Sequence, residues 1–250
     1  MTSNGDLLLA IESATRRASV ALLRGDAVVA ELEAASGDHH AERLLPMVDE
    51  LLSEAGVRLG DVGAYAVSIG PGAFTSLRIG LATLKGLAFD TDSPVAAVST
   101  LHALAHTAFC EGRAEPGETC VPLLDARRGE VYGGVYRLAA GDGPETPGPL
   151  DALIDDAVHD PAELGARLEG PVRLVGEGAS IFGEAVAMGA AGRARVQVDA
   201  AEALWPTARS VGRIGRAVLA AGEGRPAASL VPRYLRRSQA EEERAARDAG

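Results

Sequence analysis

Two α/β lobes, each a mixed sheet flanked by helices, are predicted by three observations. A meander of short apolar strands opens the chain, strand-like and helix-like periods alternate after it, and a second hairpin past residue 117 begins a diverged, reduced repeat of the first half.

The runs 7–11, 18–24 and 27–34 read as strands, and Arg24-Gly25-Asp26 supplies a hairpin turn between the last two. Residues 38–55 carry Leu44, Leu45, Val48, Leu51, Leu52 and Ala55 at helical spacing, and Gly56 terminates the pattern. Pro46 either kinks this helix or marks where its regular part starts. A buried strand over 65–69, a helix over 75–88, a strand over 94–98 and a helix over 100–109 complete the half. Three strands, helix, strand, helix, strand is an order compatible with a ribonuclease H-like sheet. After a loop over 111–117, the hairpin formed by 121–125 and 130–138 opens the second half. Glycine and proline over 139–149 mark an exposed loop. Helices at 161–168, 180–188 and 207–220 and a strand at 172–175 follow, with Val211, Ile214 and Val218 facing inward on the last helix. The charged tail after Ser238 is expected to fray. The expected domains are 1–110 for the first lobe, 111–237 for the reduced second lobe and 238–250 for a flexible tail.

A chain of 250 residues buries enough surface to fold without a metal or a disulfide. Its net charge of -11 argues against autonomous nucleic-acid binding, which depends on clustered lysine and arginine neutralising phosphates. Cys110 and Cys120 are too few for a disulfide framework and match no zinc spacing, so both are expected to be reduced structural thiols. Residues 1–6 lead into a short apolar run without the basic region and longer apolar stretch of a signal peptide, and no segment approaches membrane-spanning length. A cytoplasmic location is expected.

Residues 70–86 run from strand through a glycine-proline turn into a helix with an unusual stripe of small residues. At about 100° per residue, Ser76, Gly80, Thr83 and Leu87 fall on one line and Leu77, Leu81, Leu84 and Ala88 on the next, with Arg78 and Lys85 facing away. A glycine inside a helix costs about 0.8–1 kcal/mol relative to alanine unless close approach compensates. Gly80 and Gly86 therefore point to close packing, either by an element of the same domain or by another molecule.

Gly70-Pro71-Gly72-Ala73-Phe74-Thr75-Ser76-Leu77-Arg78-Ile79-Gly80 closely resembles the signature of the TsaB (YeaZ) family, bacterial tRNA-modification subunits of the actin-like, sugar-kinase-like (ASKHA) superfamily. Further family-like segments occur in order along nearly the whole chain: Ala10-Ile11-Glu12-Ser13-Ala14-Thr15, His40-Ala41-Glu42-Arg43-Leu44-Leu45-Pro46, Asp125-Ala126-Arg127-Arg128-Gly129-Glu130-Val131-Tyr132 and Pro232-Arg233-Tyr234-Leu235-Arg236. The resemblance implies a two-lobed ASKHA fold and a non-catalytic scaffold that activates a paralogous TsaD-like transferase. That complex, with a TsaE-like ATPase, moves threonylcarbamoyl from threonylcarbamoyl-AMP to adenosine 37 of tRNA. The implied partners are the TsaD-like subunit, the ATPase, tRNA only through the complex, and a second copy of the chain. No cofactor of its own is implied, although a nucleotide at the assembled interface is compatible. The family's partner-binding helices match the two helices of the first lobe, which nominates His40, Leu44, Leu45 and Val48 on one and Ser76, Arg78, Gly80, Thr83 and Leu87 on the other. The alternative from another class is an active superfamily enzyme, either a metal-dependent TsaD-like transferase or a small ATPase.

The superfamily's ATPases place acidic and hydroxyl groups around phosphate and magnesium in the first hairpin turn, where this chain has Glu12, Ser13 and Thr15. Glu12 stands where the relatives have aspartate and the turn lacks glycine, so a hydroxyl-capped turn with Glu12 near Arg16 or Arg17 competes with a vestigial phosphate site. Asp125 and Arg127 match the second phosphate motif, with Arg128 and Glu130 beside them, and either bind an anion or pair with each other. Gly176 and Gly178 present a lone Gly-x-Gly before a helix, which reads as a phosphate-facing turn or an ordinary tight one. His102 and His106 have the i, i+4 spacing of a metal pair. The sibling's ligands, counted without gaps from Val98, would fall at Thr100 and Leu104, on nearly the opposite helix face, so a surface or packing role is expected. Capping or solvated roles are expected for His39 and His40.

Overall fold

The computed structural model describes residues 6–34, 40–138, 150–199 and 203–236, the side chains of 40–42 excepted. The first sheet contains β1 (Leu7–Glu12), β2 (Ala18–Arg24), β3 (Ala27–Ala34), β4 (Ala64–Gly70) and β5 (Val95–Ser99) in the order β3-β2-β1-β4-β5. β1 runs antiparallel to β2 and parallel to β4, and β4 is parallel to β5. Central β1 is buried along its whole length, which explains its unbroken apolar run, whereas edge strand β3 is largely exposed or half-buried.

The alternation of side chains along β1 builds two cores. Leu7, Leu9 and Ile11 face α1 (His40–Glu54) and α2 (Phe74–Leu87), packing with Leu44, Val48, Leu51, Leu81 and Leu84. Each such buried leucine contributes about 1.5–3 kcal/mol. Pro46 is accommodated inside α1, and Gly56 adopts a φ of 63° just beyond its end.

The second sheet contains β6 (Thr119–Asp125), β7 (Val131–Leu138), β8 (Leu150–His159), β9 (Gly170–Val175) and β10 (Ala194–Val198) in the order β10-β9-β6-β7-β8. Strand pairing repeats the first sheet in both order and direction: β6 is antiparallel to β7 and parallel to β9. The reduction of this lobe lies in its helices. α4 (Pro161–Gly165) has 5 residues in the place held by the 15 of α1, followed by α5 (Glu177–Gly189). Strands β8 and β10 are additions to the sequence reading. Asp151, Asp155 and Asp156 interrupt the apolar pattern of β8, and β10 is a mostly exposed edge. The loop expected over 139–149 and the tail expected to fray after Ser238 lie outside the described residues.

Helices cross between the lobes. α3 (Thr100–Cys110) follows the first sheet in the chain, yet Leu101, Leu104, Ala108 and Phe109 pack with Cys120, Leu124 and Tyr136 of the second. α6 (Ala208–Ala220) returns to the first sheet, where Ala208, Val211 and Ile214 meet Leu8, Ala10, Leu23 and Ala66. A Cβ on Gly212 would lie 2.4 Å from Leu23 Cδ1, so α6 sits close to the sheet. A boundary at residue 110 therefore separates the sheets but not the helices.

Candidate functional site

The β1–β2 turn lies at the carboxyl end of β1, beside the start of α2. Glu12 is fully buried and its Oε1 accepts the Ala14 amide at 2.7 Å. Burial pushes its carboxyl up to about 7, against the opposing pull of the Ser68 hydroxyl and the Ala14 amide. Ser13 donates its hydroxyl to the Ser76 carbonyl (3.1 Å), Thr15 donates to the Arg17 carbonyl (3.3 Å), and the Ala73 amide donates to the Ala14 carbonyl (2.8 Å). A Cβ on Gly72 would stand 2.3 Å from that carbonyl oxygen, and one on Gly80 2.1 Å from Ser13 Oγ. The turn and α2 thus interlock through glycine.

This contact corrects part of the sequence-derived partner face. Gly80, Leu44 and Val48 are buried against the chain's own core, so their side of each helix is internal. Ser76, Thr83 and Leu87 are half-buried at the rim, while Leu45 and Arg78 are exposed. The surface of α2 and its C-terminal edge is a stripe rotated from the predicted one: Thr75, Arg78, Ala82, Gly86 and Phe89. Phe89 is 89% exposed, and among the described residues nothing lies within 4 Å of a Cβ built on Gly86. His39 and the side chain of His40 lie outside the described residues.

In the second lobe, Asp125 ends β6 and accepts the Arg127 amide at 2.7 Å while pairing with its guanidinium at 3.3 Å. Arg127 and Arg128 adopt φ values of 66° and 56°, a left-handed turn held further by Arg236, which donates to the Ala126 carbonyl and pairs with Glu130. Gly176 and Gly178 start α5 against β6: a Cβ on either would lie 2.7 or 2.8 Å from the Leu123 backbone. Both glycines therefore serve packing. Glu177 presents a carboxylate at that helix start and reaches Arg16 at 3.9 Å, bridging the first-lobe turn to the second lobe.

The two histidines of α3 have separate surroundings. His106 Nδ1 lies 3.0 Å from Ser210 Oγ on α6, within a hydroxyl network that includes Thr107. His102 stacks on Tyr136 with ring centroids 5.1 Å apart, and burial lowers it to about 4, which keeps it neutral. Among the described residues, no group of three histidine, cysteine or acidic side chains forms a metal cluster.

A buried centre that the sequence reading missed lies between the lobes. Asp156 on β8 accepts hydrogen bonds from Ser99 and Tyr136, and Arg233 reaches it at 3.4 Å. Burial and the Asp156 charge push the Tyr136 phenol up. The one signal available in sequence was Arg233 within the closing family-like segment.

Comparison with known proteins places the fold. A crystal structure of an uncharacterized Pseudomonas aeruginosa protein described as similar to peptidase YeaZ superposes with a TM-score of 0.75 at 34% identity, covering 92% of this chain and all of that one. A structure of YeaZ from Pseudomonas aeruginosa gives 0.73 at 35% identity, with the same coverage. The chain belongs to the TsaB (YeaZ) family. The related family model TsaD, tRNA N6-adenosine threonylcarbamoyltransferase, matches residues 33–244. The Haemophilus influenzae tRNA threonylcarbamoyladenosine biosynthesis protein TsaB is 42% identical over 126 residues, 50% of this chain and 51% of the relative. The match thus spans about half the length of that curated relative. The two duplicated mixed sheets with flanking helices make the fold ASKHA-like. No helix among the described residues is long and apolar enough to cross a membrane.

Proposed function

We propose that this chain is a non-catalytic subunit that pairs with a TsaD-like transferase and activates it in forming N6-threonylcarbamoyladenosine at position 37 of tRNA. A TsaE-like ATPase completes the assembly, tRNA is reached through the complex, and self-pairing uses the same face when the transferase is absent. Any nucleotide belongs at the assembled interface. The observation that carries this reading is the outer stripe of α2. Gly86 weakens a helix by about 0.8–1 kcal/mol relative to alanine, and no internal neighbour among the described residues requires it. With Ala82 and exposed Phe89 it offers close approach to a second helix. The non-catalytic part is supported by the first turn, where the Ser13 and Thr15 hydroxyls and one Glu12 oxygen are engaged in internal bonds.

The test is threonylcarbamoyladenosine formation on tRNA from threonylcarbamoyl-AMP with the TsaD-like subunit and the ATPase, with and without this chain, and with this chain alone. Product that requires both this chain and the transferase is expected. Product from this chain alone makes it the enzyme and overturns the proposal.

A further inference from the structure

The closing segment 225–236 does not end in the second lobe. Its first part returns to the first sheet, where Val95 and Arg225 exchange backbone hydrogen bonds at 2.9 Å, and Lys85 of α2 donates to the Ala228 carbonyl at 3.3 Å. Its last part crosses between the lobes. The Arg233 amide donates to the Ile69 carbonyl at 2.7 Å, and the Arg233 carbonyl oxygen lies where a Cβ on Gly70 would stand 2.7 Å away, at a φ of 121°. The strand end is therefore shaped to receive the strap.

Three attachments within residues 233–236 distinguish the strap from a frayed terminus. Tyr234 lies on the outer face of α2: its ring stacks on Phe74 (4.8 Å, 22°) and its hydroxyl accepts the Arg78 Nε at 2.9 Å. Arg78 in turn covers the Phe74 ring at 3.8 Å, a cation–π contact. Arg233 points the other way, to the buried Asp156 that also holds Ser99 and Tyr136. Arg236 fastens the 125–130 turn through the Ala126 carbonyl and Glu130. Tyr234 and Phe74 remain 36% and 37% exposed, so the stack is part of the molecular surface and continuous with Arg78, Ala82 and Gly86.

We infer that the face for the TsaD-like subunit has three components, α1, α2 and the strap 232–236, with Tyr234 a contact residue and Arg233–Asp156 the positioning pair that sets it. This rests on the partner-binding reading above. Tyrosine beside an arginine is a combination enriched where protein interfaces concentrate their affinity, because a rigid aromatic buries area with little entropy loss. Since Arg233 reaches a carboxylate of the second lobe, the surface offered by the first lobe depends on how the two lobes are set. The partner then recognises the assembled molecule, not an isolated helix pair.

The test is calorimetric titration of the full chain with the purified TsaD-like subunit, each variant first checked for native circular dichroism and melting. Tyr234→Ala is expected to weaken binding by about tenfold. Arg233→Ala is expected to do the same, and the double variant to be no weaker than the worse single one, because Arg233 acts through Tyr234. Phe89→Glu, on the α2 stripe away from the strap, serves as the control. If Phe89→Glu weakens binding and Tyr234→Ala leaves it within about twofold, the strap is not part of the face although the partner reading stands. If both leave binding unchanged, that reading falls and the inference with it. Additive losses from Arg233→Ala and Tyr234→Ala overturn the positioning role. Should Arg233→Ala fail to fold, Arg233→Lys takes its place in the cycle.

Discussion

Gly80 and Gly86 lie in the same helix, and their surroundings differ completely. Gly80 is buried and leaves no room for a Cβ because Ser13 occupies that place, whereas Gly86 is exposed with open space around it. A helix glycine therefore carries no single meaning. The inner one joins α2 to the β1–β2 turn and serves folding, and the outer one leaves a flat surface of the kind the proposed association requires. The same division separates Leu44 and Val48 from Leu45 on α1.

The inner side of this comparison breaks most strongly at Glu12, beside Ser13. Its folded pKa of about 7 lies above the ordinary 4.5, so the folded state binds the proton more tightly and stability falls as pH rises from about 4.5 to 7, then levels. Glu12→Gln is expected to abolish that slope and to raise stability above pH 7 by on the order of 3 kcal/mol, read from urea melts across pH. Unchanged slope would place the titration elsewhere. Gly80→Ala is expected to lose about 1–3 kcal/mol from overpacking on Ser13. A neutral result in thermal melts would mean that the turn yields and the interlock is weak.

Gly86→Ala is expected to have the opposite sign, gaining about 0.4–1 kcal/mol in stability while weakening association with the TsaD-like subunit. A gain in stability without loss of binding would remove Gly86 from the interface and blur the comparison. The smallest stability effect is expected at Leu45→Ser, within about 0.5 kcal/mol because the side chain is 56% exposed. Reduced binding in the same titration would sharpen the assignment of α1.

Local chemistry made most elements readable. Gly25 turns the β2–β3 hairpin and Gly56 ends α1, both at positive φ, and the apolar period placed α1, α2, α3 and α6 close to their observed limits. Strand β8 was hidden because its buried Asp156 contributes charge to a strand whose partner, Arg233, lies far along the chain. The small-residue stripe was legible, but its orientation was not. Periodicity gives the angle between side chains and leaves open which side the sheet will cover.

By itself the sequence determined the family, the two-sheet α/β class and the positions of most helices and strands, since these depend on residues a few places apart. The tertiary structure alone decided which glycine faces inward, that α3 and α6 pack on each other's lobes, and that the strap ties α2 to Asp156. Each of these depends on contacts between residues distant in the chain, and local propensity is indifferent to them.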